Sequence, residues 1–163
     1  AQAANVDITG TASNLVGRIG AEDYSDCNWW LEWYTATGTT GVNATCAVTY
    51  NDGTTGNIVV SIPASTAAGR MLPIISAVAG KFIRSVATVQ LSASIATAGN
   101  FGVTATRERL VMPTDNIAFK RREFTWAQLG CNEIANDACL FPMVDTLTTT
   151  SGVIRSQIKM IYV

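Results

Sequence analysis

Carboxylates are the side chains from which this sequence could build a catalytic site, because the chain contains no histidine. The lack of histidine excludes Ser-His-Asp and Cys-His centres and removes the commonest metal ligand. Two acids at a suitable separation are enough for glycoside hydrolysis. The candidates are Glu32, Asp52, Glu108, Asp115, Glu123, Glu133, Asp137 and Asp145. Most lie in predicted turns or beside Arg and Lys, as solvated charges do, so we predict a protein that is not an enzyme.

Metal and thiol chemistry have little support in the sequence. A calcium site at Asp52 or at residues 132–137 would lack the dense oxygen-ligand spacing of an EF-hand, and we predict no cofactor. The four cysteines form no C-x-x-C motif; they are Cys27, Cys46, Cys131 and Cys139. Because 163 residues bury enough core to fold without disulfides, we predict free and mostly buried thiols.

The charge balance bears on the choice of partner. The net charge is −1, so no overall field attracts nucleic acid or an anionic membrane, and we predict neither as a partner. No apolar run approaches the roughly 20 residues of a transmembrane helix. The first residues lack the basic start and apolar centre of a signal peptide, and the initial Ala is what removal of an initiator Met would leave.

The most aromatic stretch is NWWLEWYTA, residues 28–36, which predicts a strand. Alternation gives this strand a core face, which carries Trp29, Leu31 and Trp33. Trp30 and Tyr34 share the opposite face with Glu32. They are either covered by the N-terminal residues or exposed for a partner. An aromatic strip of this kind can also stack on sugars, which makes carbohydrate binding an alternative function.

Residues 46–107 show the clearest strand pattern. CAVTY and NIVVSIP flank the turn NDGTTG and predict a hairpin. Residues 83–95 alternate, which predicts one long half-buried strand. Its inward positions are predicted to be Ile83, Ser85, Ala87, Val89, Leu91, Ala93 and Ile95. Shorter strands are predicted at residues 70–75 and 101–106.

The fold predicted from these patterns is all-β: a two-sheet antiparallel β-sandwich of jelly-roll type with about eight strands. We predict that residues 26–163 form a single domain, with one short helix near residues 125–129 and two closing strands, the first of which begins at Cys139. Residues 1–25 form an extended N-terminal arm, which ends in an acidic patch of Glu22, Asp23 and Asp26. The patch is either a solvated turn or part of a segment that docks on a neighbouring subunit.

A charged excursion begins at Arg107 and includes Arg109, Lys120, Arg121 and Arg122. Long loops in compact domains are usually functional or interface-forming. No RNA-binding motif or helix-turn-helix accompanies the basic residues. We therefore predict a solvated or subunit-contacting loop.

Several motifs occur together in an order that resembles a group of virion proteins from tailed bacteriophages. CNWWLEWY is followed by a Thr-rich loop and by AVTYNDGTTGNIVVSIPASTAAGRMLP, which resembles a hairpin of the type SYTNxxGxxGR with its P-A loop. Lys81–Leu91 resembles a strand beginning GVRSVQSxTL, although Phe82 replaces the usual small residue. CLFPM, TTT and a last strand with Gln157 are similar to the closing hairpin of that group. The resemblance covers roughly residues 27–163.

This resemblance implies a structural protein of the virion, and specifically a head decoration (cement) protein. Such a protein binds the outer surface of the phage head, stabilises contacts between major capsid protein subunits, and forms symmetric trimers or dimers with itself. It would be located on the capsid surface after assembly in the host cytoplasm, a reducing compartment consistent with free cysteines.

The residues expected at capsid or subunit interfaces lie in the arm, on the aromatic strand and in the charged excursion. They are Val6, Ile8, Leu15, Arg18, Trp30, Tyr34, Arg107, Arg109, Lys120, Arg121 and Arg122. Two alternatives stay open: a tail or baseplate structural module, and a carbohydrate-binding or adhesin domain that uses the exposed aromatic residues.

Overall fold

A computed structural model describes residues 6–7, 14–95 and 100–107 of the chain, which form seven strands and one helical turn. The elements are β1 (Val6–Asp7), α1 (Val16–Ile19), β2 (Cys27–Trp33), β3 (Val42–Tyr50), β4 (Thr55–Ile62), β5 (Met71–Ile74), β6 (Ile83–Leu91) and β7 (Phe101–Arg107). The helix and strands predicted after residue 107 lie outside the described residues.

The strands form two antiparallel sheets that pack as a sandwich. The first sheet contains β6, β3 and β4, with the two-residue strand β1 beside β6. The second sheet has the order β5-β2-β7. One continuous core draws side chains from both sheets. The prediction of an all-β, antiparallel two-sheet sandwich is therefore confirmed.

The β3–β4 hairpin follows the alternation of its sequence. Cys46, Val48 and Tyr50 of β3 are buried, and so are Ile58, Val60 and Ile62 of β4, as predicted. Gly53 adopts φ +83° in the turn, where a side chain would be strained. Its N–H donates to the Tyr50 carbonyl at 3.0 Å, and this bond closes the turn.

Strand β6 departs from the predicted alternation. Its pairing with β3 shifts twice, because Ala47 pairs with Thr88 while Val48 pairs with Val86, and a second shift precedes the Tyr50–Ile83 pair. Two β-bulges therefore change which side chains face inward. The prediction that Ser85 and Ala87 lie in the core is wrong: both are half-buried, and Val86 is fully buried between them.

The predicted length of this strand is also wrong. Strand β6 ends at Leu91 rather than at Ile95. Ala93 is exposed, whereas Ile95 returns to the core from the loop. Ser92 donates its N–H to the Asn43 carbonyl at 2.8 Å, so the chain stays anchored to the first sheet as it leaves the strand.

The second sheet matches the predicted strands closely. Trp29, Leu31 and Trp33 of β2 are buried, as predicted. The strand ends at Trp33 instead of continuing to Ala36. Pro73 is exposed in β5, which is an edge strand of the second sheet. Proline is tolerated at a sheet edge, because the N–H that it lacks would face solvent there. Phe101, Val103 and Ala105 of β7 pack against the core.

Residues 14–26 pack on the sandwich of their own chain. Leu15 is only 6% exposed, and its N–H donates to the Arg84 carbonyl at 3.1 Å. The helical turn α1 follows directly. Tyr24 is buried and adopts a positive φ of 61°. Its hydroxyl donates to the Gly20 carbonyl at 2.7 Å. These contacts hold the segment against the start of β6 and the start of β2.

Candidate functional site

Trp30 lies on the outward face of β2, and Tyr34, the first residue after the strand, continues this face, as the alternation predicted. Trp30 is half-buried, whereas Tyr34 is 51% exposed at the end of the strand. The residues that face them across the sheet are small or hydroxyl-bearing, because Trp30 pairs with Thr104 and Asn28 pairs with Thr106. Tyr34 is therefore the more accessible of the two aromatic side chains.

The polar groups of this face bind each other. The indole N–H of Trp30 donates to Thr106 Oγ1 at 2.8 Å, and Thr104 Oγ1 donates to Glu32 Oε2 at 2.7 Å. The cross-strand neighbours of Glu32 are Met71 and Gly102. Neither supplies the second carboxylate that glycoside hydrolysis needs. These bonds hold the side chains in place, and neither cross-strand neighbour of Glu32 forms an acid–base pair with it.

Gly102 allows the ring of Tyr34 to lie across β7. A Cβ atom added at Gly102 would overlap the Tyr34 hydroxyl and would stand 3.0 Å from its Cε2. The ring thus covers a glycine in the neighbouring strand, an arrangement that stabilises glycine in sheets. The exposed aromatic ring is held in position by the sheet beneath it.

Arg107 joins the end of β7 to the acidic patch. Its Nε donates to Asp26 Oδ2 at 2.7 Å, and its Nη2 donates to Glu22 Oε2 at 3.0 Å. Burial raises the pKa of Asp26, but hydrogen bonds from Arg107 and Cys27 outweigh it and hold the pKa below its usual 3.8. Arg107, predicted as an interface residue, therefore makes its described contacts within its own chain.

A second ion pair neutralises the turn between β3 and β4. Lys81 Nζ lies 3.0 Å from Asp52 Oδ2 and 5.4 Å from the ring centroid of Tyr50. Hydrogen bonds from the Thr54 hydroxyl and N–H, with a further one from Lys81, lower the pKa of Asp52 to about 2. Asp52, considered above as a calcium ligand, is thus bound by protein donors.

The two described cysteines are free thiols. Cys46 is buried in the core and Cys27 is half-buried. Burial raises the pKa of each thiol to about 11, and at Cys27 the neighbouring carboxylate of Asp26 adds to this effect. These thiols carry little thiolate at neutral pH, so they are poor nucleophiles and poor metal ligands. Cys131 and Cys139 lie outside the described residues.

The other predicted interface residues are placed as follows. Val6 lies in β1, opposite Val89 of β6. Leu15 is buried in the core of its own chain, so little of its side chain is left for a partner. Arg18 lies in α1. The remaining predictions fall outside the described residues: Ile8, Arg109, Lys120, Arg121 and Arg122.

One exposed apolar surface was not predicted from the sequence. The loop between β5 and β6 exposes Ile75 by 68%, Val78 by 48% and Phe82 by 37%. We call these three residues the apolar tip. The signal for it in the sequence is the run PIISAVAG, which contains no charged residue but also resembles a buried strand.

The apolar tip and Tyr34 lie at opposite ends of β2. Trp29 pairs with Ile74, so the chain passes the start of β2 as it enters the loop of the apolar tip. Tyr34 directly follows the last residue of the strand. At about 3.3 Å per residue, the two sites are separated by about 20 Å along the strand.

Comparisons with protein-family models, with curated proteins and with solved structures found no match for this chain. Within residues 6–7, 14–95 and 100–107, no three His, Cys, Asp or Glu side chains are grouped so that they could hold a metal ion. In the same part of the chain, no helix has the length and hydropathy that a membrane span requires.

Proposed function

We propose that this chain is a structural protein of a tailed-bacteriophage virion, and specifically a decoration protein that binds the outer surface of the head and stabilises contacts between major capsid protein subunits. The resemblance of residues 27–163 to phage virion proteins supports this function. The proposed location is the capsid surface, and no catalytic or cofactor chemistry is part of the function.

The observation that carries the proposal is the separation of two exposed sites at opposite ends of one hydrogen-bonded sheet. A protein that stabilises a lattice must hold two neighbours at once, so it needs contact surfaces at two places. Tyr34 and the apolar tip supply such surfaces at opposite ends of β2. The hydrogen-bonded sheet between the two surfaces holds them at a fixed distance. A capsid subunit bound at one surface therefore resists movement of the subunit bound at the other.

We also propose that the sandwich is of jelly-roll type, and its connectivity supports this. From β2 to β7 the chain changes sheet at each connection except the β3–β4 hairpin. The strands β2 and β3 lie inside their sheets, and later strands are added beside them. Repeated exchange between two antiparallel sheets is typical of jelly rolls, which occur widely in capsid proteins.

Binding to separated virion parts tests the function. Heads and tails of the phage that encodes this chain would be separated on a gradient and incubated with the purified full chain. We expect saturable binding to heads, at a stoichiometry related to the lattice symmetry. Binding to tails alone would favour the alternative of a tail or baseplate module.

Carbohydrate binding is the second candidate function, and the exposed ring of Tyr34 favours it. A sugar-binding surface needs an accessible aromatic face with polar groups nearby, and Glu32 lies on the same face of β2. Glycan-array binding by the purified chain that is lost in Tyr34→Ala and in Trp30→Ala would favour this function. Glycan binding without binding to heads would overturn the decoration function.

A further inference from the structure

Strand β4 lies at the edge of the first sheet, and in the described part of the chain its outer side is unpaired. All eight of its residues pair with β3 without a register shift, so the strand is regular over its whole length. No described residue bonds to its backbone on the other side. We call this side the free edge of β4. Unpaired N–H and C=O groups along a strand are a template for pairing with another strand.

The hydrogen bonds of the hairpin show which backbone groups face the free edge. The Tyr50 N–H donates to the Thr54 carbonyl at 2.8 Å, so these two residues bond across the hairpin. The direction of bonding alternates from residue to residue in an antiparallel pair. Asn43 agrees with this alternation, because it pairs with Ser61 but bonds through its N–H and C=O to Ser92 on the β6 side. Four exposed residues of β4 therefore direct both their N–H and their C=O to the free edge: Thr55, Asn57, Val59 and Ser61.

The free edge of β4 lacks the features that usually keep a strand edge from pairing. Lysine, proline, bulges and short length have this role in natural sheets. Strand β5, at an edge of the second sheet, has four residues and includes Pro73, and β1 has two residues. The β4 sequence TGNIVVSI contains neither proline nor a charged residue. Its edge is therefore open to a second strand.

Charge and order favour a second copy of β4 as that strand. The charged residues that flank β4 in the sequence are Asp52, which is bound by Lys81, and Arg70, eight positions after the strand. Two copies of β4 therefore meet without like charges opposite each other. The second copy is already ordered in its own sheet, so it loses less entropy on pairing than a flexible peptide would. A two-fold pair also uses the free edge of both copies, which closes the assembly.

From these observations we infer that β4 pairs antiparallel with β4 of a second copy of this chain, across a two-fold axis, so that the two first sheets become one. In the register that uses every edge group, Thr55 pairs with Ser61 of the partner subunit and Asn57 pairs with Val59 of the partner subunit. About eight hydrogen bonds then form, close to the roughly 10 of a typical interface. Val59, which is 62% exposed, becomes the diagonal neighbour of the partner's Val59. The pairing needs no virion component, so it holds or fails independently of the decoration function.

Hydrogen exchange of the purified full chain tests the pairing without a variant. Sedimentation measures the fraction of dimer at increasing protein concentration, and NMR follows the exchange of single amides in the same samples. We expect the N–H groups of Asn57, Val59 and Ser61 to become protected as the dimer forms. Ile58 and Val60 are the internal control, because their N–H groups bond to β3 and should be protected at every concentration.

Two variants of Val59 separate edge pairing from contact between apolar faces. Val59→Pro removes an N–H that faces the free edge and breaks no bond to β3, so the fold should be kept, which circular dichroism and thermal melting would verify. We expect it to weaken dimerisation at least about a hundredfold, because each copy loses a hydrogen bond and presents a proline ring to the other. Val59→Ser keeps the N–H and should weaken dimerisation by about tenfold at most.

Several results would overturn the pairing, and each assigns the edge differently. A wild type that is monomeric at every concentration excludes the second copy, and edge amides that then become protected on heads would assign the edge to a capsid strand. Protection that is independent of concentration would assign it to a strand of the same chain. A dimer whose edge amides exchange freely, or one that both Val59 variants weaken equally, must use another surface. If Val59→Pro fails to fold, the exchange measurement on the wild type decides alone.

Discussion

Trp29 donates its indole N–H to the backbone carbonyl of Ile83 at 2.9 Å, and this bond joins the two sheets of the sandwich. Trp29 belongs to β2 in the second sheet, and Ile83 is the first residue of β6 in the first sheet. Trp29 is 2% exposed, so water does not easily replace the bond. The bond closes the end of the core directly beneath the loop of the apolar tip.

Removal of this hydrogen bond should destabilise the fold. Trp29→Phe keeps an aromatic ring but leaves the Ile83 carbonyl without its donor and opens a small cavity. We expect a loss of about 1–3 kcal/mol in the free energy of unfolding, measured by urea denaturation. Trp30→Phe is the matched control, because its indole bonds to a hydroxyl on the half-buried face. Equal losses in the two variants would contradict the bridging role of Trp29.

The Arg107 cluster should make stability depend on acid pH. The pKa of Asp26 is lower in the folded chain than its usual 3.8, so the folded state favours the ionised carboxylate. Its stabilising contribution is complete above pH 3.8 and is lost as the pH falls through the lower folded value. Arg107→Gln should therefore destabilise the protein at pH 7 and make progressively less difference below pH 3.8.

Urea unfolding of both proteins between pH 2 and pH 7 measures this dependence. The control is Asp23→Asn, since Asp23 is bound by Ser25 and not by Arg107. We expect its effect on unfolding to be small at pH 7. A difference between wild type and Arg107→Gln that stays constant across the whole pH range would show that the cluster acts by packing rather than by charge.

Alternation in the sequence was sufficient to predict the hairpin and the core face of β2, because those strands are regular. It was not sufficient for β6. Glycine or proline often marks a bulge, but the run IRSVATVQL contains neither. The two register shifts place the larger Val86 in the core instead of Ser85 or Ala87. Packing against the opposite sheet decides this choice, and packing cannot be read from the period of one strand.

The register of β6 can be tested by single substitutions. Val86 is fully buried, so Val86→Ala should cost about 2–3 kcal/mol in the free energy of unfolding, from two lost methyl groups and the cavity they leave. Ser85→Ala, at a half-buried position, should change it by less than about 0.5 kcal/mol. Urea denaturation of the two variants compares them directly. A larger loss of unfolding free energy for Ser85→Ala than for Val86→Ala would contradict the shifted register and favour the regular alternation.

The candidate sites were predictable only where they depend on one strand. The outward positions of Trp30 and Tyr34 follow from the alternation of β2. The pairing of Arg107 with Asp26 joins residues that are 81 positions apart, and no local sequence pattern predicts this pairing. The apolar tip was missed for a different reason. In the sequence its uncharged run resembles a buried strand, and only the structure shows that the strand ends at Ile74.

Thiol labelling provides a further test of the described core and of the acidic patch. Burial raises the pKa of both Cys27 and Cys46 to about 11, so both should react slowly with iodoacetamide at pH 8 in the folded protein and fully in urea. Cys27 should react faster than Cys46, because it is only half-buried. Peptide mass spectrometry separates the two sites.

Asp26→Asn should then accelerate the labelling of Cys27 alone. Cys27 Sγ lies 3.4 Å from Asp26 Oδ1, and the carboxylate disfavours the thiolate by bonding to the protonated thiol and by its charge. The substitution removes the charge and leaves an amide that binds the thiol only as a neutral group, although burial, the larger cause, remains. We expect labelling of Cys27 to rise a few-fold at pH 8 while Cys46 stays unchanged. Faster labelling of both cysteines would instead indicate that the variant opens the core, and the assignment of the Cys27 pKa to Asp26 would fail.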